Sequence, residues 1–371
     1  MKRPRNPNRG PGPAGGSGAG WAPKTDASSQ PERADKRPPS DRPMWLFLSE
    51  PGLTDLAMKE LKARKVIARN ARPTRLALRN QDAVLLPDAV VTGAPKGLRL
   101  TLNALNVPVF GRTGITPGQL ERLAAAFARE KADGLTSTVM GTGFARQDLV
   151  RWVSKQLAER GVSLSPEPER PCWLIVVDQA FYFGFQRFNH HDLTGRADSP
   201  DRSGALPQTI AAATVFAANP GPVEVIWDPV CGSGSLLVEA AAASPGSTLI
   251  GSDVDAEALE IAGARLGGKA ALVEANAAVA DPGRADITLT LANLPWGKRY
   301  ESEGGNQAFY AAVLKNALAH AAPDWRGVFI TSDDAALRKA ALAVGKLSVE
   351  GMARPKVRGV EAGIWRVTRA T

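Results

Sequence analysis

Residues 225–234 read Val-Ile-Trp-Asp-Pro-Val-Cys-Gly-Ser-Gly, and this stretch decides the fold of the second half of the chain. The apolar residues from Val225 onward predict a buried strand, and the two glycines that follow predict a tight loop opening a helix. Glycines in such a loop let backbone amides approach a ligand, and the new helix presents unpaired N–H groups at its start. The stretch therefore predicts a ligand-binding strand–loop–helix unit of a Rossmann-like sheet.

Two details of this loop favour S-adenosylmethionine over a dinucleotide as its ligand. The strand ends in Asp228, which suits an ammonium group, and Leu237 stands where the dinucleotide fingerprint has its third glycine. The next predicted strand ends in Asp253, where a carboxylate can accept hydrogen bonds from both ribose hydroxyls. Asp255 is the weaker candidate for that role and a candidate helix cap. The predicted cofactor-binding residues are Asp228, Cys231, Gly232, Gly234, Asp253 and, towards adenine, Asn276.

A second informative motif, Asn293-Leu294-Pro295-Trp296, follows a later strand of the same half. It falls at the carboxyl edge, where open α/β sheets bind ligands. The exocyclic amine of a nucleobase is a poor nucleophile because its lone pair is delocalised into the ring. The Asn293 amide oxygen and the Leu294 carbonyl can accept both of its N–H bonds, while Pro295 stiffens the turn and Trp296 offers a stacking face. These four residues are the predicted catalytic set, with an ordinary strand-to-loop turn as the alternative.

The order of predicted elements divides the chain into four parts. Strands and helices alternate through residues 205–371, which predicts a parallel, doubly wound sheet. Residues 44–187 begin with a strand and a helix, continue with a β-rich stretch and end in a strand–helix–strand–strand pattern, which predicts an α+β domain. Residues 188–204 are polar and predict a linker. Residues 1–43 are rich in Pro, Gly, Ser and charge, and predict a disordered basic tail.

Composition narrows the class of partner. The net charge is +9 and the isoelectric point about 9.7, which favours nucleic acid over a membrane surface. No apolar run approaches a membrane span. The two cysteines, Cys172 and Cys231, cannot form a disulfide framework or a zinc site, and His190-His191 lack metal-ligand partners at the required spacing. A cytoplasmic protein without a metal is therefore expected.

The motifs resemble a known family. Asp228 to Gly234, Gly251-Ser252-Asp253 and Asn293 to Arg299 are similar to class I methyltransferases, and more narrowly to the THUMP-linked enzymes that form N2-methylguanosine in tRNA or rRNA. The resemblance implies an α/β fold with a carboxyl-terminal, doubly wound, Rossmann-like methyltransferase domain. In the first half, Trp45 with Pro51-Gly52-Leu53, a strand–Gly143-Phe144–helix unit and Tyr182-Phe183-Gly184-Phe185 resemble the RNA-binding region of the same enzymes. This implies an amino-terminal α+β domain that is ferredoxin-like or THUMP-like.

The resemblance also assigns roles. It implies that Asn293 and Leu294 orient the guanine amine and that Asp253 binds the cofactor ribose. The chain departs from the common Asn-Pro-Pro-Tyr form at Leu294, which still supplies a carbonyl, and at Trp296, which lacks a hydroxyl. Asn276 stands where many methyltransferases carry Asp, which weakens the adenine assignment.

The sequence thus predicts a monomeric RNA methyltransferase that extrudes a guanine from structured RNA, with tRNA ahead of rRNA as substrate. The alternatives are a DNA adenine-N6 or protein glutamine methyltransferase, since the same turn serves those amides, and a non-catalytic RNA-binding protein. The cations predicted to contact RNA, with surface solvation as the alternative, are Lys298, Arg299, Arg146, Arg151, Lys155 and Arg187.

Overall fold

The computed structural model describes residues 43–78, 80–111, 114–140, 146–177, 179–189, 205–296 and 305–370. The predicted basic tail up to residue 42, His190-His191, the Gly143-Phe144 loop, and Lys298 and Arg299 lie outside these ranges. So does the predicted linker except for its first two residues. Two seven-stranded sheets and one two-stranded hairpin organise the described residues.

The first sheet has the strand order β2-β3-β1-β4-β7-β6-β5. Only β5 and β6 are parallel, and α3 connects them. The strands are β1 (Met44–Ser49), β2 (Thr74–Ala77), β3 (Asp82–Pro87), β4 (Thr101–Gly111), β5 (Gly134–Met140), β6 (Pro171–Val177) and β7 (Ala180–Asn189). The helices are α1 (Thr54–Ala63), α2 (Pro117–Glu130) and α3 (Arg146–Ala158), with a 3-10 turn at Asp88–Val90.

Local sequence signals explain where these elements begin and end. A capping box starts α2: the Thr116 hydroxyl accepts from the Gln119 N–H at 3.3 Å, and the Gln119 side chain accepts from the Thr116 N–H at 2.8 Å.

The last strand of the first sheet in the chain, β7, runs two residues past the predicted domain boundary at residue 187. Phe188 and Asn189 pair with Ala104 and Asn103 of β4, so they belong to the sheet.

The second sheet has the order β10-β9-β8-β11-β12-β16-β13. Its first five strands are parallel, and β16 is antiparallel to both of its neighbours. The strands are β8 (Val225–Asp228), β9 (Thr248–Asp253), β10 (Ala270–Glu274), β11 (Ile287–Asn293), β12 (Ala321–Thr331), β13 (Leu347–Ala353) and β16 (Gly363–Arg369). The helices are α4 (Gln208–Ala218), α5 (Ser235–Ala243), α6 (Ala256–Leu266), α7 (Gly305–Ala319) and α8 (Asp334–Val344).

Both faces of the second sheet are covered, which confirms the predicted doubly wound α/β fold. One core lies under α4, α5 and α6 and includes Leu237 and Leu289, and the other lies under α7 and α8 and includes Leu314 and Leu337. Leu56 of α1 is also part of the first core, so the two sheet regions share buried apolar surface. Within the described ranges, no helix combines the length and apolarity needed to cross a membrane.

A small hairpin completes the fold. It is formed by β14 (Lys356–Val357) and β15 (Val360–Glu361), and it connects β13 to β16. Neither this hairpin nor β13 was predicted from the sequence.

Candidate functional site

The glycine loop after β8 has the conformation that its sequence predicts. Gly232 and Gly234 have φ angles of +50° and +79°, a region that favours glycine. A Cβ at Gly234 would lie 3.1 Å from the Cβ of Ala262, so this glycine lets α6 pack closely. A Cβ at Gly232 would meet nothing within 4 Å, so the backbone there borders open space. The loop therefore has a free side on which a ligand can lie against the main chain.

Asp253 joins the end of β9 to this loop. Its Oδ2 accepts from the Gly232 N–H at 2.7 Å, and its Oδ1 accepts from the Asp255 N–H at 3.0 Å. An ionised carboxylate offers about four acceptor positions, so each oxygen retains capacity for a further donor. The Asp255 carboxylate caps α6 by accepting from the Ala258 N–H at 3.0 Å, which confirms the capping interpretation of that residue.

Two buried ionisable groups lie beside the loop. Burial raises the pKa of the Asp228 carboxyl well above its usual value, and the nearby Asp253 raises it further. Burial, reinforced by the same two carboxylates, also raises the pKa of the Cys231 thiol. The thiol is therefore protonated and a poor nucleophile. The buried carboxyl is a site where a cationic ligand group is favoured.

Asn276 lies after β10, exposed, in a turn. Its Oδ1 accepts from the Ala278 N–H at 3.0 Å, which leaves Nδ2 as the group that can donate to a base edge. The turn is held by Asn316 of α7, whose Nδ2 donates to the carbonyls of Ala277 and Ala280 at 3.0 and 2.9 Å. No motif in the sequence identifies Asn316.

The loop after β11 contains two unpaired polar atoms. Among the described residues, five buried side-chain polar atoms lack a hydrogen-bond partner, and this loop holds two of them, Asn293 Oδ1 and Trp296 Nε1. Such atoms are rare in native proteins, so a pair of them in one four-residue loop favours a functional site over an ordinary turn. Leu294 is buried and donates its N–H to the Ile330 carbonyl at 3.0 Å, which extends the β-ladder. Trp296 is half-buried and packs against the first core.

Tyr310 of α7 anchors this loop, and sequence reasoning missed it. Its hydroxyl donates to the Pro295 carbonyl at 2.5 Å and lies 2.8 Å from Thr331 Oγ1. Thr331 Oγ1 in turn accepts from the Asp333 N–H at 3.0 Å. The Tyr310 side chain is fully buried, and burial raises its pKa to about 12, so the phenol stays protonated and can donate throughout the neutral range. The loop after β11 is thus fixed to both α7 and β12.

The sheet brings the predicted cofactor and base residues to one edge. Strands β10, β9, β8 and β11 are adjacent and parallel, so their carboxyl ends lie side by side. Asp228 pairs with Gly251, and Asp253 with Glu274, in the β-ladder. Asn293 ends the neighbouring strand β11, so a ligand on the glycine loop and a base at Asn293 would meet at this edge.

The predicted RNA-contacting cations are scattered. Arg151 and Lys155 of α3 are exposed and make surface pairs with Asp148 and Glu159. Arg146 Nε donates to Ser137 Oγ at 2.9 Å. Arg187 pairs at 2.6 Å with the largely buried Glu130 of α2 and so holds the sheet to that helix. In the part of the chain that the structure describes, no group of three or more His, Cys, Asp or Glu side chains is placed to hold a metal.

The chain is similar to known methyltransferases in sequence. Residues 197–352 match the family model described as RMKL-like, methyltransferase domain. The tRNA (guanine(6)-N2)-methyltransferase of Thermus thermophilus is 27% identical over 342 residues, covering 85% of this chain and 98% of that protein.

Two crystal structures share the fold. TrmN from Thermus thermophilus matches with a TM-score of 0.71 and 23% identity, covering 88% of this chain and 99% of that one. SMU.472, a putative methyltransferase complexed with SAH, matches with a TM-score of 0.63 and 13% identity, covering 89% and 99%. Each match spans most of both sheets, so the similarity in fold is not confined to the carboxyl-terminal half.

Proposed function

We propose that this protein, a methyltransferase whose residues 197–352 match an RMKL-like methyltransferase domain, methylates N2 of a guanine in structured RNA, most simply tRNA. The observation that carries the proposal is the buried, unpaired Asn293 Oδ1 at the carboxyl end of β11. The Thermus thermophilus relative, matched over nearly its whole length, is named for this reaction on tRNA. The methyltransferase match supports a catalytic protein over the non-catalytic alternative.

The residues around the glycine loop fit S-adenosylmethionine. The Gly232 backbone borders open space, as a ligand lying on the main chain requires. Asp228 offers a buried carboxyl for the ammonium group, and Asp253 retains acceptor positions for ribose hydroxyls. Asn276 is proposed to donate from Nδ2 to the adenine edge. When bound, the cofactor supplies a methyl group activated by the positive sulfur.

The base-binding loop acts mainly by positioning. Asn293 Oδ1 and the Leu294 carbonyl are proposed to accept the two N–H bonds of the guanine amine, which directs the nitrogen lone pair out of the ring plane. Tyr310 fixes the Pro295 carbonyl, so the acceptors are held before the base arrives. The half-buried Trp296 is proposed to stack on the extruded base.

Proton removal needs no specialised base. The amine becomes strongly acidic once methylated, so its proton can pass to water after the transfer. The buried Cys231 thiol is protonated, which argues against a thiolate adduct with the base. Catalysis then rests on orientation and on removal of water from the amine.

A genetic comparison tests the proposal. Nucleosides from tRNA and from rRNA are quantified by mass spectrometry in strains with and without the gene. We expect N2-methylguanosine to fall in tRNA and to return with the wild-type gene but not with Asn293→Ala. An unchanged nucleoside profile in both RNA pools would contradict the proposal. Methylated adenine in DNA or methylated glutamine in protein that disappears with the gene would favour the alternatives.

A further inference from the structure

We infer that the hairpin β14–β15 and the residues leading into it, 354–361, contact the phosphate backbone of the substrate RNA beside the base-binding loop. This inference rests on the proposed function. RNA is the expected partner because the segment is cationic, exposed and on the same edge of the sheet as the base-binding loop.

The β-ladder places the segment on that edge. Asn293 pairs with Ile330, Ile330 with Ile364, and Ile364 with Ala353, so one row crosses four strands from the base-binding loop to the end of β13. The segment begins directly after Ala353. Three strand spacings of about 4.8 Å separate the ends of this row by roughly 14 Å. A strand of RNA entering the base site would pass over this distance within a few nucleotides.

The segment carries an excess of positive charge. Arg354, Lys356 and Arg358 are exposed and Glu361 is its one acidic residue, so its net charge is 3 − 1 = +2. Two acidic groups partly offset these cations: Asp334 pairs with Arg354, and Glu361 lies opposite Lys356 in the hairpin. Arg358 lies at the tip of the hairpin, between its two strands.

A further cation borders the segment. The Arg338 guanidinium lies 4.4 Å from the ring centre of Trp365, and that of Arg354 lies 5.7 Å from it. Arg338 is exposed on α8, so it widens the cationic surface along the same edge. Guanidinium groups fixed on an aromatic ring are suited to contact phosphate oxygens.

The two turn residues of the hairpin have left-handed backbone conformations. Arg358 and Gly359 have φ angles of +48° and +88°, as in the two-residue turns that favour Asn-Gly. Arginine is disfavoured in this left-handed region, whereas Asn would adopt it more easily. The hairpin thus carries a cation at a turn position where the backbone conformation favours Asn or Gly.

The hairpin is rigidly mounted between the two sheet regions. The Pro51 carbonyl accepts from the Lys356 N–H at 3.1 Å. A Cβ at Gly52 would lie 1.9 Å from the Arg354 carbonyl oxygen, so only glycine permits this approach. Val357 is buried. The cations of the hairpin are therefore held in place where the first sheet region, which is predicted to bind RNA, contacts the second sheet near its base-binding edge.

The test compares two charge reversals of equal size in the full-length protein. Lys356→Glu/Arg358→Glu alters the hairpin. Lys269→Glu/Lys346→Glu makes the same change in net charge on exposed turns before β10 and β13, at the opposite edge of the sheet. For each protein, tRNA affinity is measured across a range of salt concentrations, together with S-adenosylmethionine affinity and single-turnover methylation.

We expect the hairpin variant to bind tRNA about tenfold more weakly or worse, with a salt dependence reduced by about one to two phosphate contacts. Its affinity for S-adenosylmethionine should match that of the wild type, and saturating tRNA should restore methylation. The control variant should stay within about threefold of the wild type in tRNA affinity, since its charges lie away from the RNA path. A milder Lys356→Gln/Arg358→Gln variant, with half the charge change, should show an intermediate loss.

Three outcomes would overturn the inference. Equal losses in the hairpin and control variants would show that only net charge matters. Unchanged tRNA affinity in the hairpin variant, with wild-type protein that methylates tRNA, would reject this surface and leave the proposed function intact. Wild-type protein that neither binds nor methylates RNA would reject both.

Discussion

The side-chain oxygen of Asn293 is buried without a donor, a situation that costs a protein about 1–3 kcal/mol. We expect Asn293→Ala to lower the rate of methyl transfer by about 10²- to 10³-fold, because the amine loses a preorganised acceptor. The dissociation constant for S-adenosylmethionine should change by less than about twofold, and the variant should be at least as stable as the wild type. Single-turnover kinetics, calorimetry and thermal unfolding measure the three quantities.

Asp253→Ala is the matched variant on the cofactor side. It should weaken S-adenosylmethionine binding by about tenfold or more, since hydrogen bonds to a charged group are worth about 1.5–3 kcal/mol. Reversed phenotypes, with Asn293→Ala impaired in cofactor binding and Asp253→Ala impaired only in transfer, would show that the two sites are misassigned.

The buried Asp228 carboxyl should lower the stability of the protein without ligand and strengthen the binding of S-adenosylmethionine. Its folded-state pKa is raised by burial, so folding is most favourable while the carboxyl is protonated, and stability falls as the pH rises from the usual Asp value through the raised one. Asp228→Asn keeps the shape and cannot ionise. At neutral pH we expect this variant to unfold at a higher temperature than the wild type without ligand, and to bind S-adenosylmethionine more weakly. Thermal unfolding across the pH range with and without cofactor is the measurement, and a lower unfolding temperature at neutral pH would contradict the argument.

At the scale of single residues, the sequence predicted the site residues whose role depends on their close neighbours in the chain. The positive φ angles of Gly232 and Gly234 and the capping by Asp255 follow from residues close in the chain. Tyr310 and Asn316 could not be found in this way. Both act across distances of at least 15 residues, from a helix whose sequence shows only an apolar face.

Among the elements, α7 contacts both the loop after β10, through Asn316, and the loop after β11, through Tyr310. Tyr310→Phe removes the hydroxyl that donates to Pro295, so we expect methyl transfer to slow by about tenfold while the cofactor dissociation constant stays unchanged. Tyr182→Phe is the control, a similarly buried tyrosine in the other sheet, and it should leave the rate unchanged. Equal rates for Tyr310→Phe and wild type would show that the loop does not depend on this anchor.

Helices and strands with a strong hydrophobic pattern were predicted correctly, whereas the edge strand β13 of the second sheet and the hairpin after it were missed. The strands β8 and β9 end at Asp228 and Asp253, as predicted, β11 ends at Asn293, and α5 begins directly after the glycine loop. β13 was missed because it is an edge strand with exposed residues such as Glu350 and Gly351, and it owes its conformation to pairing with β16. The two-residue strands of the β14–β15 hairpin are too short to show any periodicity.

Across the whole molecule, a buried ion pair connects the sheet regions. Arg99, before β4, pairs with Glu239 of α5, whose side chain is 3% exposed. The N–H groups of Arg99 and Leu100 donate to the buried Glu60 of α1 at 2.8 and 3.0 Å. The resemblance to a family predicted two domains but not this connection, because the partners lie 140 residues apart.

Breaking this pair should destabilise the protein. Arg99→Ala removes the guanidinium from the largely buried Glu239, which we expect to cost about 1.5–3 kcal/mol in the free energy of unfolding. Arg75→Ala, which removes an exposed pair with Asp55, should cost less than about 1 kcal/mol. Urea unfolding compares them, and an Arg99→Ala midpoint equal to that of Arg75→Ala would show that the pair contributes little.

The most direct test of the central claim is nucleoside mass spectrometry of unmodified tRNA incubated with purified protein and methyl-labelled S-adenosylmethionine. We predict labelled N2-methylguanosine with the wild-type protein and none with Asn293→Ala, although that variant still binds the cofactor. Label in another nucleoside, or equal N2-methylguanosine from the variant, would contradict the claim that Asn293 at the end of β11 orients a guanine amine for methylation.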